Sequence, residues 1–314
     1  MTAGPVDLNA LPLDELYAEL ASDGSVHRLL SLARDEDLSG AGDLTSVACF
    51  ADNERTRAHL VARQPGVIAG LAAMDDLIEL FAPDAACRFN AKDGDAITRG
   101  STLATITGPT RQVLALERTM LNLLSRLSGI ATSTAAYVRA IRGAGESLPA
   151  RLLDTRKTVP GLRTLSKYAV RCGGGYCHRV GLFDAVLIKD NHIAHLSPGD
   201  LREFVTRASH LARELAVTPL RFIEVEVTSL DQLAVLLALP EGTIDFVLLD
   251  NMPLAMMKAA VEQRESTAPH ILLEASGGVT LDTIADIART GVDRISVGAI
   301  THSSPALDLA LDFA

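Results

Sequence analysis

After residue 150 the chain repeats one pattern: a short apolar run ending in a charged or glycine-rich group, followed by a helical stretch. The runs are RLLD (151–154), AVLIK (185–189), RFIEVEV (221–227), IDFVLL (244–249), HILLEAS (270–276) and DRISV (293–297). Between them lie helical patterns such as DLREFVTRASHLARELA and LDTIADIART. Alternating strand and helix predicts a parallel sheet in an α/β fold, closed or nearly closed into a barrel. Six strands fall short of the eight in a complete barrel of this type.

Upstream the pattern differs. SVHRLLSLARDEDL (Ser25–Leu38) reads as a helix capped by Ser25, with Val26, Leu29, Leu30 and Leu32 on its apolar face. GAGDLTS follows as a turn, and Thr56–Gly108 reads as short strands and turns around one helix, LAAMDDLIELFA. AKDGDAITRGSTLATITG is similar to a biotinyl or lipoyl carrier hairpin, but Lys92 stands before a GD turn and not at a hairpin tip. The longest helical stretch begins at Arg111 and is expected to break at Gly129. Its Arg118, Asn122 and Arg126 recur at i, i+4 and i+8, a stripe that is ordinarily solvated. The final PALDLALDF is expected to return to the first domain as a helix or a strand. The domains expected are 1–122 joined by the tail 303–314, and 123–302.

Charge narrows the function. Arg151–His192 holds eight Lys and Arg residues against three acids, a net of +5 in a chain of formal charge −10. A focused cationic patch in an acidic protein suits a small polyanion and argues against a nucleic-acid partner. MTAGPVDLNALPLDELYAEL shows no secretory signal and no run is long enough to span a bilayer, so a cytoplasmic chain with no membrane partner is expected. Cys49, Cys87, Cys172 and Cys177 are too sparse for a disulfide scaffold, and Cys172, Cys177, His178 and His192 fit no common zinc spacing.

In α/β barrels reacting groups gather at the carboxyl ends of the strands. Here those ends carry Asp154–Lys157, Lys189–Asn191, Glu226, Asp250–Asn251, Ser276–Gly278 and Gly298–Ala299. ASGGV and SVGAIT put small residues where backbone N–H groups can approach a phosphate. Glu226 and Asp250, on neighbouring strands, suit ribose hydroxyls, Mg²⁺ bound through water, or positive charge developing on a sugar. Strand alternation sets Glu224 on the same side as Glu226, so either acid fits this role.

DTRKTVPGLR, KYAVRCGGG and HRVGLFDAVLIKDNHI resemble the quinolinate phosphoribosyltransferase family, and the similarity runs from Gly42–Ser46 to Gly298–Ser303. The family usually has Asn before the His-Arg pair, where this chain has Cys177. The resemblance implies an incomplete α/β barrel of about six parallel strands with a smaller mixed α/β N-terminal domain. It implies quinolinate and phosphoribosyl pyrophosphate as substrates, Mg²⁺ as cofactor, and a homodimer, or a higher oligomer, with shared active sites. By resemblance Arg156, His178, Arg179 and Lys189 bind quinolinate, and Arg118 reaches into the neighbouring subunit's site. Lys157 meets the pyrophosphate or the ribose, and Glu226 and Asp250 complete the catalytic set as the metal-associated acids. Ser276, Gly277, Gly278, Gly298 and Ala299 take the 5-phosphate; His302 adds a donor or serves a structural role.

Overall fold

The computed structural model describes residues 6–145 and 147–314, which form two compact units. One comprises Leu11–Ala135, Thr158–Gly174 and Ile300–Ala314; the other comprises the described residues up to Ala10, Ala136–Lys157 and Gly175–Ala299.

The first unit is built on antiparallel strands β1 (Arg55–Ala62), β2 (Gly66–Val67), β3 (Ala86–Phe89), β4 (Ala96–Ile97) and β5 (Thr102–Pro109). The C-terminal segment Leu309–Phe313 is a strand, paired with β1, and the four-stranded order is this strand, then β1, β5 and β3. β5 alternates burial, with Ala104, Ile106 and Gly108 turned inward, as expected of a half-buried antiparallel strand. A helix at Met74–Phe81 buries Met74, Leu77 and Phe81, one face at helical spacing.

The helix Thr110–Ala144 runs without the interruption expected at Gly129. Val113, Leu116, Met120, Leu124 and Leu127 are fully buried along it. Gly129 is there for proximity: a Cβ would lie 2.0 Å from the Pro305 carbonyl oxygen. Beside this crossing the Leu307 N–H donates to the Ser125 carbonyl at 2.9 Å. Arg126 donates to the carbonyls of Ser304 and Thr301, so one member of the polar stripe holds the C-terminal segment.

Two further local expectations change. The helix Ser25–Leu38 has the expected bounds, but Gly24 in the left-handed region is its cap, and Asp23 accepts the Ser25 N–H at 2.8 Å. Its Leu32 is exposed. The expected turn at GDLTS instead starts a helix, Leu44–Cys49, whose first turn is capped by the Asp43 carboxylate accepting from the Ser46 N–H.

The second unit is the barrel: β6 (Arg151–Leu153), β7 (Val186–Ile188), β8 (Ile223–Val227), β9 (Phe246–Asp250), β10 (Leu272–Ser276) and β11 (Arg294–Ser296). All six lie parallel in the order β6-β11-β10-β9-β8-β7, a ring left open between its first two strands. β8 is buried at every position, Glu224 and Glu226 included, so its alternation of acid and aliphatic residues marks no solvent face. Ser197 and Ser229 cap the helices Pro198–Leu215 and Leu230–Leu237 by accepting from backbone N–H groups of their first turns.

The free edge of β6 is partly filled. Tyr176 makes a parallel bridge to Leu153, donating its N–H to the Leu152 carbonyl at 2.8 Å and accepting from the Asp154 N–H at 3.1 Å. Asn9 then takes the place of a further strand: its Oδ1 accepts the Cys177 N–H at 2.7 Å and its Nδ2 donates to the Cys177 carbonyl at 3.0 Å.

Candidate active site

The loop after β6 and the loop 175–185 are tied together by buried acids. Asp154 is fully buried, and its Oδ1 accepts the His178 N–H at 2.9 Å. Asp184 accepts the N–H groups of Val180 and Gly181, both at 2.8 Å, and pairs with Arg221 Nε at 3.0 Å. These acids therefore hold the loop carrying His178 and Arg179.

Arg156 is half-buried, and its Nε is enclosed without a hydrogen-bond partner. Arg179 is buried and donates one Nη1 bond to the Ala185 carbonyl at 3.3 Å. Its pKa is lowered, first by burial and then by the charge of Arg156, against the opposing pull of Glu224 and Asp184. Two guanidinium groups held near each other in a desolvated place repel, and an anion between them relieves that repulsion. Lys157, next along the loop, is exposed, with its N–H donated to Thr155 Oγ1 at 3.0 Å.

The structure separates the two acids of β8. Glu224 is fully buried and meets His178 Nε2 at 3.0 Å. Glu226, two residues nearer the strand's carboxyl end, lies 3.8 Å from Lys189 Nζ. Burial raises the Glu226 pKa; Lys189 opposes that shift and Asp250 adds to it, so the two acids feel each other's charge. Lys189 follows β7 and donates its N–H to His192 Nδ1 at 2.8 Å, which fixes the start of the short helix Asp190–Ile193.

His178 is turned into a buried ionic network. Glu274 Oε1 lies 3.5 Å from His178 Nε2, and Arg294 Nε pairs with Glu274 Oε2 at 2.8 Å. Burial would keep Glu274 protonated, but Arg294 and His178 hold its pKa down. For His178, burial opposes charge while Glu274 and Glu224 raise its pKa. The Arg179 N–H points at Nδ1 from 2.8 Å and needs a lone pair there, which a protonated ring lacks. These two indications conflict. Arg294 already neutralises Glu274, so the neutral Nε2–H tautomer, donating to Glu224, is the state consistent with every contact.

The ligand atoms of His178, Glu224 and Glu274 lie within 4.8 Å of one another, close enough for a metal ion, but Arg294 supplies the positive charge that an ion would bring. Sequence reasoning missed Glu274 and Arg294. The available signal was a charge in the interior of an apolar strand, where an unpaired charge is too costly to keep.

At the next two strand ends the backbone is shaped for close approach. Asn251 has a φ of 52°, donates from Nδ2 to Asp250 Oδ2 at 3.0 Å, and gives its N–H to the Ser276 carbonyl at 2.9 Å. A Cβ on Gly277 would fall 2.3 Å from Asn251 Oδ1, so only glycine fits beside this side chain. Gly277 and Gly278 both have positive φ, at 93° and 58°. Gly298 and Ala299 follow β11, and the helix Ala299–His302 begins there.

The barrel unit thus carries Arg156, Lys157, His178, Arg179, Lys189, Glu226, Asp250, Ser276, Gly277, Gly278, Gly298 and Ala299 at or beside its strand ends. Arg118 and His302 belong to the other unit. Both are exposed, and His302 Nδ1 lies 2.5 Å from Ser303 Oγ.

Residues 43–128 match the family model for the quinolinate phosphoribosyl transferase N-terminal domain, and residues 130–312 match the model for the C-terminal domain. A Mycobacterium leprae protein named nicotinate-nucleotide pyrophosphorylase (carboxylating) is 44% identical over 282 residues, 89% of this chain and 94% of that one. A Bacillus subtilis protein with the same name, marked probable, is 39% identical over 277 residues, covering 88% and 89% of the two chains. The solved nicotinate-nucleotide pyrophosphorylase from Francisella tularensis superposes with a TM-score of 0.82 at 35% identity, covering 99% of this chain and all of that one.

Proposed function

The chain belongs to the quinolinate phosphoribosyltransferase family, and from that premise we propose how its residues divide the work. The enzyme joins quinolinate to phosphoribosyl pyrophosphate and releases pyrophosphate and CO₂, leaving nicotinate mononucleotide. The observation that carries the substrate assignment is a pair of confined cations, Arg179 buried in the loop 175–185 and Arg156 half-buried after β6 with an enclosed Nε lacking a hydrogen-bond partner. A planar ring with two adjacent carboxylates matches two planar forks better than a ring with one.

In this reading Lys189 joins the pair on quinolinate, and His178 orders the loop from behind while facing Glu224. The backbone N–H groups of Ser276, Gly277, Gly278, Gly298 and Ala299 take the 5-phosphate, and Lys157 meets the pyrophosphate. The pyridine nitrogen attacks the anomeric carbon as the bond to pyrophosphate breaks, through an oxocarbenium-like state. Glu226 and Asp250 face that developing positive charge. The positive charge of the quaternised nitrogen then stabilises the electron pair left on ring carbon 2 when its carboxylate departs as CO₂, and that pair takes up a proton. The protein contributes mainly position and electrostatics.

Glu226 and Asp250 are hard oxygen donors, and the upward shift of the Glu226 pKa reflects burial and the nearby Asp250 charge, both of which a divalent cation offsets. They fit Mg²⁺, held directly or through water. When bound, Mg²⁺ neutralises charge on the pyrophosphate. The working form is a cytoplasmic homodimer in which Arg118 completes the neighbouring subunit's site. No described helix is long and apolar enough to cross a membrane.

The test is a turnover assay with phosphoribosyl pyrophosphate and either quinolinate or nicotinate, following mononucleotide and CO₂. Quinolinate should be strongly preferred, because one carboxylate leaves part of the buried cation set unpaired. Equal use of the two acids would overturn the assignment.

A further inference from the structure

A second cavity, of about 510 Å³, lies at the other end of the barrel strands. Its wall uses the strand starts: Arg151 of β6, Phe246 of β9 and Arg294 of β11, with Phe222 just before β8. Tyr176, which fills the open side of the barrel, also lines it, as does His178 from behind the loop that it orders. Along β9 the distance from Phe246 at this end to Asp250 at the other is about 13 Å at the usual strand rise. The volume falls within the range of small-molecule pockets.

The lining combines rings with unfilled cationic donors. The Arg294 guanidinium carbon sits 3.8 Å from the Phe246 ring centroid and 5.2 Å from that of Phe222. The two phenylalanines meet edge to face, with centroids 5.3 Å apart. Arg294 is 8% exposed; Glu274 engages its Nε, while its Nη2 is enclosed with no hydrogen-bond partner. Arg151 lies over the Tyr176 ring at 5.1 Å and is exposed at the rim.

We infer that this cavity is a second ligand site, separate from the reacting centre, for a small planar aromatic monocarboxylate. The rings give a stacking surface for a planar ligand. The carboxylate pairs with Arg151 at the rim, and the buried Arg294, partly balanced by Glu274, adds positive charge.

Benzoate is the probe, because it has neither a ring nitrogen to attack nor a second carboxylate for the Arg156–Arg179 pair. Titration of the full chain by ligand-observed NMR, with quinolinate saturating, should give a Kd on the order of 1 mM. Arg151→Glu should weaken binding about tenfold or more. Leu272→Trp, at the partly exposed start of β10, should abolish it by filling the cavity. Both variants should keep the parent melting temperature and phosphoribosyl transfer. Absence of saturable binding, competitive displacement by quinolinate, or equal affinity in parent and Arg151→Glu would each overturn the second site. Binding is read without turnover, so its failure leaves the proposed reaction untouched, and failure of that reaction leaves the cavity testable.

Discussion

Cys177 and Lys189 show what single residues contribute and what they do not. Cys177 is held through its backbone, by two bonds from the Asn9 amide, and its side chain is buried. Cys177→Asn is therefore expected to leave quinolinate affinity within about tenfold, or about 1.4 kcal/mol, by calorimetric titration. A hundredfold change would put this side chain at the substrate. Lys189 does different work, since its ammonium opposes the burial that raises the Glu226 pKa. Glu226 must be ionised to face positive charge on the ribose, so activity falls as pH drops through its pKa. Removing the ammonium raises that pKa further, because the protonated form loses its competitor. Lys189→Met should thus move the acid limb of kcat/KM for phosphoribosyl pyrophosphate to higher pH. An acid limb that stays in place would show that Glu226 is not the group titrating there.

At the scale of elements, Gly129 and β10 mark where local reading stops. Glycine in a helical pattern reads as a break, yet the helix continues, because the residue answers to the Pro305 carbonyl far along the chain. Gly129→Ala should cost about 1–3 kcal/mol or more in urea unfolding, since neither the helix nor the C-terminal segment can withdraw freely. A variant as stable as the parent would show that the segment is loosely held. The barrel strands are legible for the opposite reason: burial on both faces prints an apolar run such as that of β9, and the chemistry falls at its end. Glu274, at the centre of β10, and Arg294, at the start of β11, escaped notice because the sequence does not name the partner of a charge within an apolar run. Only the register of β10 with β11, which sets Glu274 beside Arg294, does so. The Asn9 clamp was likewise invisible, joining positions 168 apart through a side chain that imitates a strand. The choice of Arg156, Arg179 and Lys189 among eight local cations came from resemblance; neither charge count nor periodicity ranks them.

On the scale of the whole molecule, the long helix raises the question of a partner subunit. Arg126 on its polar stripe is used within the chain, tied to the Thr301 and Ser304 carbonyls. Arg118, two turns earlier, is exposed and makes no hydrogen bond or ion pair among the described residues. An exposed arginine without a partner, beside the fully buried Leu116 and Met120, suits a role in trans, and a twofold dimer would make that role reciprocal. Mixing Arg118→Ala with Lys157→Ala under conditions that exchange subunits tests it. In a mixed dimer one site then has both intact residues, the Lys157 of one chain and the Arg118 of the other, while the second site lacks both. Random pairing makes about half the dimers mixed, so about one quarter of parent activity should return. If Arg118 serves its own chain, every site keeps one lesion and the mixture stays as inactive as its components. Native mass spectrometry of the mixture fixes the fraction of mixed dimers, so a flat activity with mixed dimers present would rule out sharing of the site.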